Sequence, residues 1–257
     1  MQLNLALPLL PSPFIHGRIM RFGRNQYSAS RSAPGSSPWG GVLRSPIRLH
    51  VRQDLHLVRK GWHMLTGLMM VAIFLSGLSR FDAVMILAFF LGVCLLVETV
   101  RLRVPAMNEA VIRFWGPIMR TGEIDRMSGT PFYLASALIA VGLFPRPIAA
   151  LSLLFLACGD PMASLVGILY GKSSPRWSDG KSWIGTAAGV LTCMAVGAIF
   201  WSVLPVKSWQ AWVLTWIGGI AGGMAELLPW DMDDNFVIPV ASGFTLWISC
   251  ILLGIPV

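Results

Sequence analysis

The sequence predicts an all-α fold, a polytopic membrane helix bundle, and three observations carry that reading. Of 257 residues, 55% are apolar and only 12% are charged, against roughly 25% charged in a typical soluble domain. Mean hydropathy is +0.66. Uninterrupted apolar runs recur along the chain at about the ~20-residue length that crosses a ~30 Å hydrocarbon core. Together these argue against a water-soluble globule.

The formal net charge of +8 belongs to one end. Residues 1–60 hold nine Lys/Arg against Asp54 alone, and the rest of the chain holds eleven bases and eleven acids. A basic leader lying against an anionic membrane face fits this split better than a body that binds nucleic acid. Residues 1–46, with Ser, Pro, Gly and Arg crowded into 17–46, are expected to be a disordered leader. The segment 47–61 is juxtamembrane, and 62–257 is the transmembrane domain with the candidate site. No base precedes the short apolar stretch of Met1–Pro11, so a cleaved signal peptide is not expected. Cys94, Cys158, Cys193 and Cys250 fall inside apolar runs without metal-like or disulfide-like spacing, and read as buried free thiols.

Seven spans are expected, at about 62–79, 81–98, 129–144, 147–170, 182–204, 209–228 and 236–257. With the leader in the cytosol, seventeen Lys/Arg lie on the inner side and three, Arg80, Arg146 and Lys207, on the outer. The positive-inside rule then sets an N-in, C-out topology. Between the second and third spans, Met107, Ala110, Val111, Phe114, Trp115, Ile118 and Met119 recur at helical spacing among Asn108, Glu109, Arg113 and Arg120. That pattern suits an amphipathic helix in the interface, or a connector folded back on the bundle.

The fourth span contains Gly159-Asp160-Pro161. A carboxylate inside an apolar span is costly and marks a functional site. Pro161 disfavours helical geometry at Asp160 and suits the first position of a new helix, so the span is expected to break there. A loop follows, from Gly171-Lys172 through Arg176 to Lys181-Ser182. Its glycines, hydroxyls and three bases suit phosphate groups, although the Walker A spacing is absent. Near the last span stand Glu226, Asp231, Asp233, Asp234 and Asn235. The clustered carboxylates repel unless a cation lies between them, and oxygen-only ligands favour Mg²⁺. Alternatively, Asp234 or Asn235 caps the last helix. Arg59-Lys60 with His63 reads as a membrane-boundary anchor or a lipid head-group contact. Glu98 with Arg101 and Arg103 reads as an ion pair closing the second span or as a substrate contact.

Taken in order, Arg59-Lys60-x-x-His63, Glu98-x-x-Arg101-Leu102, Asn108, Cys158-Gly159-Asp160-Pro161-x-Ala163, Gly167, Gly171-Lys172, Lys181-Ser182, Ala225-Glu226 and Asp233-Asp234-Asn235-x-x-Ile238-Pro239 resemble the CTP-dependent lipid-alcohol kinase family. That family includes dolichol kinase, phytol kinase and CTP-using diacylglycerol kinase, and is related to phosphatidate cytidylyltransferases. The resemblance covers about 59–257. It departs at Lys181-Ser182-Trp183-Ile184-Gly185, where many relatives carry Glu in place of Ile184. The cytidylyltransferase signature also has no counterpart, which favours phosphoryl over nucleotidyl transfer; a small transporter is the alternative of another class. The resemblance implies transfer of the γ-phosphate of CTP to a lipid hydroxyl at the cytosolic face. It implies Mg²⁺ on Asp233, Asp234 and Glu226, and the triphosphate on Gly171, Lys172, Arg176, Lys181 and Ser182. Asp160 is then a further metal ligand or the acceptor of the hydroxyl proton, and with Lys181 it is the catalytic pair. His63, Lys60, Glu98, Arg101 and Asn235 are the implied substrate contacts. The partners are a membrane lipid and a nucleotide, with no nucleic acid.

Overall fold

The computed structural model describes residues 56–178, 180–228 and 232–256. The expected leader, most of the juxtamembrane segment and Asp231 lie outside the described residues. Each apolar run is helical, in the order α1 (Leu57–Leu75), α2 (Arg80–Arg103), α3 (Pro105–Trp115), α4 (Gly129–Leu143), α5 (Arg146–Leu154), α6 (Asp160–Tyr170), α7 (Trp183–Ser202), α8 (Ser208–Met224) and α9 (Asp234–Leu252). No strand occurs among the described residues.

Local chemistry sets many of the boundaries. The Ser79 hydroxyl accepts from the Asp82 amide at the start of α2, at 3.1 Å, and Ser182 caps α7 through the Gly185 amide. Prolines stand in the first turns of α3 and α5, where a missing N–H costs nothing. Four helices are long and apolar enough to cross a bilayer: Arg80–Arg103, the α5–α6 unit Arg146–Tyr170, Trp183–Ser202 and Asp234–Leu252. The 15-residue α4 is apolar but shorter. α1 begins with Arg59 and Lys60 in its first turn.

The helix expected to break at Gly159-Asp160-Pro161 is continuous. α5 widens into a π-helical turn, Phe155–Gly159, and passes directly into α6. Asp160 has helical angles, φ −61° and ψ −48°, although Pro161 follows it. The wider turn is the physical reason, because an extra residue in the turn accommodates a proline whose ring would clash with a regular preceding turn. Beyond Arg146, α5 carries only Ser152 as a polar side chain and is packed inside, with Ile148, Ala149, Ala150 and Leu151 fully buried. By contrast, α2 leaves Phe81, Phe89 and Leu96 exposed on its outer side.

The glycines of α8 permit the close helix approach expected of them. A Cβ on Gly223 would collide with the backbone of Val190, and one on Gly219 with Met194. α3 is shorter than its sequence pattern and gives way to a 3₁₀ turn, Gly116–Ile118. It presents Asn108 and Ile112 to the protein and leaves Met107, Phe114 and Trp115 exposed. Asn108, read from sequence as part of the polar face, is buried because Arg101 recruits it at 3.0 Å.

The two ends of the bundle are tied differently. At one end Arg80 donates to the Phe144 carbonyl, Arg146 to those of Phe74 and Leu78, and Gln210 to that of Leu253. At the other end gather the first turns of α1, α4, α7 and α9 and the last turns of α2 and α8, with nearly all the candidate residues.

Candidate active site

Three carboxylates converge at that end. Asp160 at the start of α6, Asp234 at the start of α9 and Glu226, in the 3₁₀ turn Ala225–Leu227 after α8, each offer an oxygen, and these oxygens lie within 4.8 Å of one another. Lys181 reaches in from the loop before α7. Its ammonium donates to Asp234 Oδ1 at 2.9 Å and to the Glu226 carbonyl at 2.9 Å, and stands 3.1 Å from Glu226 Oε2. Burial alone would push the Lys181 pKa down. The charges of Asp234 and Glu226, with their hydrogen bonds, outweigh it and hold the pKa above its usual value, so Lys181 is cationic. Thr186, one turn into α7, donates to Glu226 Oε1 at 3.3 Å.

Other sequence-derived residues take other places. Asp233, expected at a metal, caps α9 by accepting from the Asn235 amide at 2.9 Å, a role expected of Asp234 or Asn235. Asn235 ties α9 to α4: its side-chain amide lies 3.5 Å from the Gly129 carbonyl, and its own carbonyl accepts from Ser136 at 2.7 Å. Ser182 is buried beneath Gly167 and Gly171, where a Cβ on Gly171 would strike it. Lys172 is exposed, and Arg176 donates across its own loop to the Gly180 carbonyl. The loop is pre-shaped by backbone bonds from Trp177 to Lys181 and from Trp183 to Pro175. The Trp177 and Trp183 rings stack with centroids 4.8 Å apart. Ile184, where the resemblance leads to an expected Glu, is exposed on the first turn of α7.

Lys60 and His63 lie in the first turns of α1. His63 Nε2 is 3.3 Å from the Leu156 carbonyl, whose partner five residues on in a π turn is Pro161, which has no N–H.

Glu98 and Arg101, expected as an ion pair closing the second span or as a substrate contact, form a buried ion pair. They are 5% and 0% exposed. Arg101 places all five of its donors: Nε and Nη2 on the Glu98 carboxylate, Nη1 on Asn108 Oδ1 and the Glu123 carbonyl, and Nη2 again on the Arg126 carbonyl. Glu98 also accepts from the Ser128 amide and hydroxyl. The pair braces the connector between α2 and α4. Sequence reasoning did not find Glu123 or Thr186. Both are common residue types whose roles come from partners 64 and 40 positions away.

Fold and site together describe a helical protein with bilayer-length apolar helices and an acidic, lysine-bridged centre at one end of them. The chain is 32% identical over 160 residues to the CTP-dependent diacylglycerol kinase 1 of Schizosaccharomyces pombe, covering 59% of this chain and 73% of that protein. It is 31% identical over 204 residues to the protein of that name from Eremothecium gossypii, covering 72% and 64%. To the phytol kinase of Synechocystis it is 33% identical over 152 residues, covering 55% and 64%. No family model matches the chain, and no solved structure does. The chain belongs to the CTP-dependent lipid kinase family.

Proposed function

We propose that the protein is an integral-membrane kinase that transfers the γ-phosphate of CTP to the hydroxyl of a lipid alcohol: diacylglycerol, phytol or a polyprenol. The convergence of Asp160, Glu226 and Asp234 around Lys181 is the observation that carries this reading. Phosphoryl transfer asks for positioning and charge stabilisation more than for covalent help. Oxygen-only donors at this spacing fit a hard divalent cation. Mg²⁺ held by Glu226 and Asp234 would neutralise charge on the β- and γ-phosphates. Lys181 contributes a fixed positive charge beside these carboxylates, and the exposed Lys172 a first contact for the triphosphate.

In the transfer, the lipid oxygen forms the new bond to the γ-phosphorus and the bond from that phosphorus to the β,γ-bridging oxygen breaks. CDP leaves, and the hydroxyl proton passes to a carboxylate, a role we assign to Asp160 of the apolar helix Arg146–Tyr170. The relatives named for diacylglycerol, phytol and dolichol support a lipid acceptor. We take the seven helical runs as spans with the leader in the cytosol, so that nucleotide meets the site from the cytosolic face.

Purified protein in lipid nanodiscs with Mg²⁺ and CTP labelled at the α- or γ-phosphate, against diacylglycerol, phytol and polyprenol, tests the reading. Label from the γ position should enter one lipid. Label from the α position entering phosphatidate would instead identify a cytidylyltransferase. Asp160→Asn and Asp234→Asn should each lower turnover by about 10²-fold or more without loss of helical circular dichroism. Full turnover in both would place the chemistry elsewhere.

A further inference from the structure

The connector between α2 and α4 is built as a clamp on α1. Glu123 lies in its second 3₁₀ turn, Thr121–Glu123, and is 9% exposed. Its carboxylate takes a two-pronged contact from Arg59 of α1, Nη1 to Oε2 and Nη2 to Oε1, both at 2.9 Å. Oε2 also accepts from the Arg120 amide at 2.9 Å, and Arg59 Nη1 reaches the Ile118 carbonyl at 2.8 Å. The backbone of Glu123 is held in turn: its carbonyl accepts from Arg101 at 3.0 Å, and Arg101 is gripped by Glu98. A chain of contacts thus runs from the end of α2 through the connector to the first turn of α1.

A planar fork gripped at both prongs restricts rotation of the helix that carries it. Successive residues on a helix are about 100° apart around its axis, so the angle of Arg59 sets the angle of its neighbour Lys60. One turn further on, it also sets the height of His63. His63 Nε2 stands 3.3 Å from the carbonyl of Leu156, in the π turn that runs into Asp160. With its guanidinium committed to Glu123 and Ile118, Arg59 acts on the site through its place in α1.

We propose that Glu123 is a positioning residue for phosphoryl transfer, acting through Arg59 to hold the first turns of α1, with Lys60 and His63, beside the π turn that leads into Asp160. This rests on the function proposed above. It assigns to the connector a part in the site that its distance along the chain conceals.

The test uses the full chain in nanodiscs, with Glu123→Gln, Glu123→Asp, Arg59→Gln and the Arg59→Gln/Glu123→Gln double variant. Two readouts apply: kinetics with whichever lipid alcohol the wild type accepts, and the rate at which an amine-reactive reagent labels Lys60, read by mass spectrometry. In Glu123→Gln, kcat should fall about tenfold with the KM for CTP within about twofold, and the double variant should be no worse than either single one. Labelling of Lys60 should speed up several-fold without any nucleotide present, and Glu123→Asp should recover part of both losses. Near-wild-type kcat in Glu123→Gln, multiplying losses in the double variant, or unchanged Lys60 labelling would each overturn the proposal. If Glu123→Gln does not fold, the Asp variant decides by the same two readouts. A wild type that phosphorylates no lipid alcohol would remove the functional reading, whereas the Lys60 labelling still decides this one.

Discussion

Arg101 illustrates how one side chain can organise its neighbourhood. It is 0% exposed, and its donors are divided between one carboxylate, one amide oxygen and three connector carbonyls. Substituting Met would keep its volume and leave the Glu98 charge buried without its partner, a change that costs about 3–5 kcal/mol. Denaturant unfolding of Arg101→Met in detergent should show a loss of that size, whereas Arg113→Met, at an exposed pair with Glu109, should change stability by less than about 1 kcal/mol. Glu123 makes a prediction in pH. Burial pushes its carboxyl up, but the Arg59 hydrogen bonds and charge, with the Arg120 amide, more than offset this and hold it below the usual range. The folded value therefore lies under the unfolded value of about 4.3. The pair contributes in full above that pH and is lost as pH falls through the lower folded value. Melting temperature should drop on acidification below about pH 4, and Glu123→Gln should flatten that limb. Lys181 has the opposite sign: its raised pKa contributes below about 10.4 and is lost as pH rises through the folded value.

At the scale of elements, two contacts bring the acidic centre together. The π turn Phe155–Gly159 lets a buried helix carry Pro161 and present Asp160 without ending. The close packing of α7 against α8 brings Lys181 and Thr186, at the start of one, to Glu226, just past the end of the other. That packing depends on residues without side chains. Gly223→Ala would drive a methyl into the Val190 backbone, which cannot yield as a flexible side chain would. A loss of about 1–3 kcal/mol or more is expected, read as a lower melting temperature. Turnover should fall as well, because the helices part where Lys181 meets Glu226. Gly92→Ala, on the open side of α2 with nothing nearby, should leave both unchanged.

For the whole molecule, the arrangement of ends is the main result. The starts of α1, α4, α7 and α9 and the end of α8 are joined by polar contacts on one side. That side holds the acidic centre, the connector clamp and the basic loop, while the opposite side is tied by Arg80, Arg146 and Gln210 to carbonyls. The N-in, seven-span reading predicts that in intact cells or sealed vesicles a tag at the N-terminus is protected from external protease and one at the C-terminus is cleaved. Cleavage at both termini, or at neither, would require an even number of crossings. A protein truncated before residue 46 should retain lipid phosphorylation, as expected if the basic leader lies outside the site.

Composition and spacing by themselves determined the helical class, the positions of the apolar runs and the ordered polar motifs that mark the family. They could do so because hydropathy over ~20 residues, turn chemistry and short motifs are local properties of the chain. They also singled out Asp160, Lys181, Glu226 and Asp234 as candidates, since charge in or beside an apolar run is conspicuous wherever it occurs. Only the tertiary structure decided that these four meet while Asp233 caps a helix, that Glu98 and Arg101 are a buried brace, and that the helix at Asp160 bends into a π turn without breaking. Whether a polar group faces ligand, solvent or another side chain depends on partners far along the sequence. The bond from Arg59 to Glu123 spans 64 positions and that from Lys181 to Asp234 spans 53. Those pairings are fixed only when the helices close on one another and each buried charge must find its counter-charge.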